Sequence, residues 1–267
     1  MKVTAAEITQ SIAEIRLQAP VVHNITNYVA MNNTANALLA IGASPVMAHA
    51  LEEVEEMVNI ASALVINIGT LSERWIHSMF KAAAQAGKKG IPVILDPVGA
   101  GATRYRTQTA RELIARETPA VIRGNASEIM ALYDDQTKTK GVDSSAVSEN
   151  AIAIAQELSK IYSCIVCVSG ATDYIVEGKR IVMVRNGHPL MTKITALGCT
   201  ASALCGAFAA VDNSMLSATV KAMTVMGIAG EIAAAKATGP GSLQMHFLDN
   251  LYHLSTEDIQ RLIKVEE

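Results

Sequence analysis

The chain has 267 residues, of which half are hydrophobic but only 4% are aromatic. Its formal net charge is −3, and no run of lysine or arginine offers a track for a phosphodiester backbone, so no nucleic-acid partner is expected. The mean hydropathy is positive. This apolar surplus favours an oligomer, because some apolar surface is left to be covered.

The first fifteen residues do not have the pattern of a signal peptide, because Lys2, Glu7 and Glu14 interrupt them. The four cysteines are therefore expected to be reduced thiols, and the location to be cytoplasmic. The uncharged stretch from Ile194 to Val211 is short for a membrane span, which needs about 20 strongly apolar residues. A buried helix is expected there, and no membrane partner.

Runs of valine and isoleucine predict four strands, and helical patterns stand between them. The strands are predicted at 63–69, 91–97, 119–125 and 164–170, and the helices at roughly 51–60, 73–87, 108–116 and 146–160. The strands are nearly continuous in apolar residues, which is typical of strands covered on both faces. Alternation of strand and helix predicts an α/β fold, with a mainly parallel sheet between two helical layers. One domain spanning 1–267 is expected.

The second half of the chain adds a hairpin and three helices. The hairpin is predicted over 172–187, with Glu177 and Gly178 at its turn. Helices are predicted at about 199–211, 215–236 and 254–264, the last with Ser255 as its N-cap.

Each predicted strand ends in polar residues or glycine. These endings are Asn67 and Gly69, Asp96 and Gly99, Arg123 and Asn125, and Ser169 and Gly170. In open α/β sheets, ligands bind beyond the carboxyl ends of the strands. A site is therefore expected where the four endings meet.

The segment DPVGAGATR, residues 96–104, is a glycine-rich loop after a strand. It lacks the third glycine of the dinucleotide fingerprint, since Arg104 stands there, and the chain has no Walker A motif. Two interpretations stay open. The loop either makes tight turns only, or meets phosphate through its amides, with Asp96 near a metal.

The segment RGNASEI, residues 123–129, also has two interpretations. Asn125 and Glu128 have the spacing of a capping box, which needs no ligand. Arg123 at a buried strand end, however, favours an anion nearby. Glu128 on the same edge as Asp96 would give two carboxylates for Mg²⁺ held through water.

Gly198, Cys199 and Thr200 begin a predicted helix, after a turn that starts at Lys193. The unpaired amides there carry the positive end of the helix dipole, and Gly198 would let a phosphate approach the chain closely. The same dipole is expected to lower the pKa of Cys199. A small cysteine packed in a core helix is the alternative, but convergence with the strand-end residues favours a site.

Four segments together resemble the hydroxyethylthiazole kinase family of the ribokinase-like superfamily. They are VVHNITNYVAMNNTANALLAIGASPVMAHA (21–50), DPVGAGAT (96–103), RGNASEI (123–129) and GCTASALCGAF (198–208). The resemblance implies ATP-dependent phosphorylation of 4-methyl-5-(2-hydroxyethyl)thiazole in thiamine salvage, with Mg²⁺. It also implies a three-layer αβα ribokinase-like fold without the lid domain of sugar kinases, and a homotrimer with thiazole pockets between subunits.

The resemblance further implies roles for residues at matching positions. Met47 and Asn27 would line the thiazole pocket with Gly69 and Ala196 near it, Arg123 and Ser169 would contact ATP, and Asn125, Glu128 and Asp96 would organise the metal and triphosphate. Gly198 would form the anion hole. Cys199 stands where most of the superfamily has an aspartate base.

This chain departs from the family pattern at the start of that helix. Ala196 replaces a usual glycine and Leu197 a usual small hydroxylated residue, while Ser169 replaces threonine and keeps the hydroxyl. A reshaped turn or a narrowed pocket is expected.

Three rival functions stay open. The first is a kinase for another small hydroxymethyl heterocycle, of the pyrimidine or pyridoxal type. The second is acyl transfer or hydrolysis with Cys199 as nucleophile, which needs a histidine partner. The third is a ligand-binding protein without catalysis, prompted by Ala196 and Leu197.

Overall fold

A computed structural model of the protein describes residues 3–133 and 144–267. It contains one nine-stranded sheet, in the order β2-β1-β3-β4-β5-β6-β7-β8-β9. The strands are β1 (Val21–Ile25), β2 (Ser44–Val46), β3 (Ala63–Asn67), β4 (Val93–Asp96), β5 (Val121–Asn125), β6 (Ile165–Ser169), β7 (Asp173–Glu177), β8 (Arg180–Val184) and β9 (Val265–Glu266).

The sheet is mainly parallel, as predicted. The first six strands pair in parallel, and β7, β8 and β9 extend the sheet antiparallel beyond β6. Every named strand in the described residues belongs to this sheet. The single-domain organisation over 1–267 stays a prediction.

The helices form a layer on each face of the sheet. They are α1 (Ala5–Gln18), α2 (Met31–Ile41), α3 (Val54–Ile60), α4 (Glu73–Lys89), α5 (Arg104–Arg116), α6 (Ala126–Leu132), α7 (Ser144–Tyr162), α8 (Leu197–Ala209), α9 (Met215–Lys236), α10 (Pro240–His253) and α11 (Thr256–Leu262), with a short 3₁₀ helix at Pro189–Lys193.

Two separate apolar cores, one on each face of the sheet, explain why the strands are nearly continuous in apolar residues. Helices α1, α2 and α8 to α11 share one core with Val65 of β3, while α3 to α7 share the other with Leu64 and Ile66 of the same strand. Successive residues of a strand point to opposite faces. The predicted three-layer αβα architecture is therefore confirmed.

The predicted strands and helices are all present, with ends that differ by a few residues. The hairpin is confirmed, and the Ser255 hydroxyl accepts from the Asp258 amide at the start of α11, as an N-cap does. Helix α8 begins at Leu197 rather than at 198 or 199. Helices α1, α2 and α10 and strands β1 and β2 were not predicted. In β1, His23 and Asn24 interrupt the apolar pattern.

Helices α8 and α9 lie deep in the protein. All residues of α8 from Thr200 to Ala209 are buried. Among the described residues, only α9 is long and apolar enough to cross a membrane, and 78% of its most apolar window is buried inside the protein, as in a core helix. The uncharged stretch 194–211 is likewise a core segment.

Close contact between α8 and the sheet depends on Gly206. A Cβ atom at this position would lie 2.8 Å from Cγ2 of Val65 and 3.2 Å from Cγ1 of Val22. Gly241 in α10 has no heavy atom within 4 Å of the same point. The two helical glycines thus differ mainly in the space beside them.

We expect Gly206→Ala to lower the free energy of unfolding by about 1–3 kcal/mol, because the helix must move off the sheet. The matched control Gly241→Ala should raise it by up to about 1 kcal/mol, because alanine is the better helix former. Urea denaturation measures both values. Equal effects of the two substitutions would contradict the close contact.

Candidate active site

The carboxyl ends of β1, β3, β4, β5 and β6 meet around the first turn of α8. Asp96, at the end of β4, lies at the centre and is fully buried. Its Oδ2 accepts hydrogen bonds from Asn67 Nδ2 at 3.0 Å and Ser202 Oγ at 2.7 Å. Burial raises the pKa of Asp96 to about 6, although Arg123 and both hydrogen bonds oppose this. The predicted convergence of strand ends is therefore observed.

Arg123 of β5 links this carboxylate to α8. Its Nη1 donates to the Gly198 carbonyl at 3.0 Å and lies 3.8 Å from Asp96 Oδ2, and its Nη2 donates to Ser169 Oγ at 2.7 Å. Burial opposes the charge, but the Asp96 carboxylate raises the pKa of Arg123, so the guanidinium stays a cation. The anion expected beside Arg123 is present within the chain itself.

Gly198 leaves room for the guanidinium. A Cβ atom on Gly198 would lie 3.0 Å from Arg123 Nη1. The glycine was expected to admit a phosphate. In the structure, its missing side chain admits the arginine that would face that phosphate.

The first turn of α8 has no side-chain cap. Ala196, the N-cap residue, has a φ of 67° and makes no capping hydrogen bond. The amides of Leu197, Gly198 and Cys199 therefore lack intrahelical partners and carry the positive end of the helix dipole. This is the arrangement that binds anions.

A cleft of about 740 Å³ opens beside this turn. It is lined on one side by Arg123, Ser169, Ala196 and Gly198. Its other walls come from the start of β7, the loop after β8, the 3₁₀ helix and α9. The cleft has the size of a small-molecule site, which commonly spans about 300–1,000 Å³.

Cys199 is half-buried, whereas the other three cysteines are fully buried. Its sulfur accepts a hydrogen bond from Asn27 Nδ2 at 3.3 Å. Burial, followed by the charge of Asp96, raises the pKa of the Cys199 thiol above its ordinary value. The expected lowering by the helix dipole is wrong, because desolvation and a nearby carboxylate act more strongly.

Asn27, which contacts Cys199, shares the Asn67 side chain with the Gly69 amide. Asn27 Nδ2 donates to Asn67 Oδ1 at 2.9 Å, and the Gly69 amide donates to the same oxygen at 2.9 Å. A Cβ atom at Gly69 would lie 2.6 Å from Asn27 Nδ2. Met47 directly follows β2, which pairs with β1, and is half-buried. The thiazole contacts of Asn27, Gly69, Met47 and Ala196 stay predictions.

Asn125 and Glu128 form the capping box that the sequence pattern indicates. Asn125 Oδ1 accepts from the Glu128 amide, and Glu128 Oε2 accepts from the Asn125 amide, both at 2.9 Å. Glu128 Oε1 also accepts from the Gly99 amide at 2.8 Å, which ties the glycine-rich loop to α6. Contacts of Asn125 with ATP and of Glu128 with a metal stay predictions.

Asp96 and Glu128 fit a magnesium ion that is bound partly by substrate better than an ion bound by protein ligands alone. Within residues 3–133 and 144–267, no group of three or more His, Cys, Asp or Glu side chains could hold a metal. Asp96 Oδ1 is buried without a hydrogen-bond partner. Magnesium is usually bound through one or two carboxylates together with substrate phosphates. Asp96 and Glu128 match that donor set.

Sequence reasoning missed two residues of this network. Ser202 lies one turn into an apolar helix and has no neighbouring motif, although its hydroxyl binds Asp96. Asn67 was noted only as a strand ending, yet it connects Asp96 to Asn27. A polar residue in a helix buried on all sides is the one signal that points to Ser202.

The fold is of the ribokinase-like class. A structure of a ribokinase-like superfamily protein from Enterococcus faecalis is similar, with a TM-score of 0.63 and 14% identity, covering 88% of this chain and 87% of that chain. At this identity the likeness shows the fold alone.

The family model described as hydroxyethylthiazole kinase family matches residues 12–257. Hydroxyethylthiazole kinase from Syntrophus aciditrophicus is 59% identical over 266 residues, covering 99% of this chain and 98% of that protein. The structure of hydroxyethylthiazole kinase protein from Pyrococcus horikoshii OT3 has a TM-score of 0.90 and 44% identity, covering 97% of this chain and 98% of that chain. The chain belongs to the hydroxyethylthiazole kinase family.

We expect Ala196→Gly to raise the free energy of unfolding by about 0.5–1 kcal/mol. An L-residue in the left-handed region costs about 1–2 kcal/mol, and the greater freedom of glycine in the unfolded chain cancels part of the gain. The matched control is Ala153→Gly on the exposed face of α7, which should lose about 1 kcal/mol. Thermal denaturation compares them. If both substitutions lowered the free energy of unfolding, the strain at Ala196 would be disproved.

Proposed function

We propose that the protein transfers the γ-phosphoryl group of ATP to the hydroxyl of 4-methyl-5-(2-hydroxyethyl)thiazole, a step of thiamine salvage. Membership of the hydroxyethylthiazole kinase family supports the reaction. The observation that carries it is the uncapped first turn of α8, with Arg123 beside it and a cleft in front of it.

In this proposal the nucleotide occupies the cleft. Arg123 and Ser169 contact its phosphates, and the amides of Gly198 and Cys199 form the anion hole at the γ-phosphate. Asn125, at the N-terminus of α6, helps to organise the triphosphate. The thiazole lies beside Asn27, Gly69 and Met47, and Ala196, which also lines the nucleotide cleft, lies between the two substrates.

Phosphoryl transfer of this kind depends on positioning and on neutralising charge, because its transition state is largely dissociative. The amides of Gly198 and Cys199 and the guanidinium of Arg123 supply fixed positive charge. Loss of one comparable donor costs roughly 3 kcal/mol. Asp96, through its unpartnered Oδ1, and Glu128 would hold Mg²⁺ with the phosphates. When bound, that ion neutralises charge on the β- and γ-phosphates.

Cys199 would act as a weak general base through its minor thiolate form, which takes the hydroxyl proton and becomes the thiol. Its raised pKa keeps most of the sulfur as neutral thiol at pH 7. A general base typically contributes about 10²–10⁴-fold, and the low end of that range is expected for this thiol.

The exposed apolar residues after Asn27 support the proposed homotrimer. Tyr28 and Val29 are 65% and 63% exposed, and they directly follow the residue proposed to line the thiazole pocket. A neighbouring subunit would cover them and complete the pocket. Four unpaired cysteines also fit the proposed cytoplasmic location, where thiols stay reduced.

A coupled ADP-release assay tests the function. We expect ATP-dependent turnover with hydroxyethylthiazole, and much less with a hydroxymethylpyrimidine or pyridoxal, because the family match is to thiazole kinases. Excess EDTA should stop turnover, because without Mg²⁺ the negative charges of the triphosphate, Asp96 and Glu128 would repel one another. A preference for another alcohol would replace the substrate assignment. Thiazole binding without phosphorylation would instead identify a non-catalytic protein.

Substitution of Cys199 separates a proton acceptor from a covalent nucleophile. We expect Cys199→Ala to slow kcat by roughly 10²-fold without abolishing it, the low end for loss of a general base. Cys199→Asp should keep activity, because a carboxylate can accept the same proton. Both variants are measured in the ADP-release assay, with ATP binding as the control for folding. A folded, ATP-binding Cys199→Ala enzyme without turnover would favour covalent chemistry.

A further inference from the structure

Two buried asparagines between Asp96 and Cys199 have their amide orientation fixed by the backbone. The Gly69 amide donates to Asn67 Oδ1 at 2.9 Å, and the Ala30 amide donates to Asn27 Oδ1 at 3.0 Å. A backbone N–H can only donate, so the oxygen of each side chain must face it. The NH₂ group of each side chain therefore points the other way.

These NH₂ groups form a chain of hydrogen bonds with one direction. Asn67 Nδ2 donates to Asp96 Oδ2 at 3.0 Å, an ionised carboxylate that can only accept. Asn27 Nδ2 donates to Asn67 Oδ1 at 2.9 Å and to Cys199 Sγ at 3.3 Å. The sulfur is thus the acceptor in its contact with Asn27.

We propose that Asn67 is a positioning residue, which holds the Asn27 amide so that Cys199 Sγ accepts a hydrogen bond and its thiolate form is favoured. Asn67 is 1% exposed and Asn27 is 6% exposed, so water does not compete for these bonds. The Asn27 amide is held at both ends, by Ala30 and by Asn67. Without Asn67, its NH₂ end loses the partner that directs it.

The chain of hydrogen bonds through Asn67 and Asn27 opposes the two effects that keep the thiol neutral. Burial and the charge of Asp96 disfavour the thiolate, whereas the hydrogen bond from Asn27 and the charge of Arg123 favour it. In the proposed kinase reaction, on which the catalytic consequence rests, the thiolate form takes the proton of the substrate hydroxyl and becomes the thiol. The direction of these hydrogen bonds does not depend on that reaction.

Alkylation by iodoacetamide without any substrate tests the chain. The rate at the Cys199 peptide is followed by mass spectrometry from pH 7 to a pH beyond the midpoint, which lies above the ordinary cysteine value. Its midpoint reports the thiol pKa, and its high-pH limit reports access to the sulfur. The thiolate is the reacting form. We expect Asn67→Leu to move the midpoint up by about one pH unit, which makes alkylation roughly tenfold slower at pH 7–8.

Ser202→Ala is the matched control, because Ser202 gives Asp96 the same kind of hydrogen bond but does not reach Asn27. It should not slow alkylation. Equal slowing in both variants would overturn the proposal, since the effect would then come from Asp96 alone. An unchanged midpoint in a folded Asn67→Leu protein would overturn it too.

Asn67→Ser decides the question if Asn67→Leu does not fold. This change adds no charge and is too short to present its oxygen to the Asn27 amide, so the midpoint should rise. A midpoint that stays or falls would overturn the proposal. In the kinase assay, Asn67→Leu should lower kcat and leave the KM for ATP unchanged. A wild-type protein without kinase activity would reject the proposed function but leave the alkylation result valid.

Discussion

The packing of α8 against the sheet determines where a site can form. The helix is buried from Thr200 to Ala209, and Gly206 brings it close to β1 and β3. It cannot slide along the sheet without separating packed side chains, and interiors of proteins tolerate such changes poorly. Its first turn is therefore fixed at the carboxyl edge of the strands, where the Ser202 and Gly198 contacts attach it to β4 and β5.

Several local rules of sequence are broken at this turn. Ala196 adopts a backbone conformation that favours glycine, Ser202 places a hydroxyl inside an apolar helix, and Asp96 is a carboxylate without access to water. Each of these lowers stability by itself. Together they place a buried cation and open amides at one cleft, and the Asp96 carboxylate, with one unpartnered oxygen, lies beside that cation. Exceptions to local rules that gather at one place are typical of functional sites.

The framework of the fold could be predicted from the sequence, because burial on two faces leaves a direct signal in β3 and β4. The convergence of Asp96, Arg123 and Ser169 followed from the topology of parallel strands. Contacts between distant residues could not be predicted in the same way. Asn27 and Cys199 are 172 positions apart, and no local pattern records their hydrogen bond. The direction of the Cys199 pKa also depends on burial, which periodicity does not measure at a half-buried helix start.

A neutral thiol suits the electrostatics of this edge of the sheet. Asp96 already places negative charge near residue 199, and a nucleotide phosphate at the first turn of α8 would add more. An uncharged sulfur adds no further negative charge, so it leaves the attraction of the open amides for a phosphate intact. The asparagine chain favours a minor thiolate population, which takes the hydroxyl proton as the hydroxyl ionises and so becomes the neutral thiol. The first turn of α8 can therefore bind an anion and still offer a proton acceptor beside it.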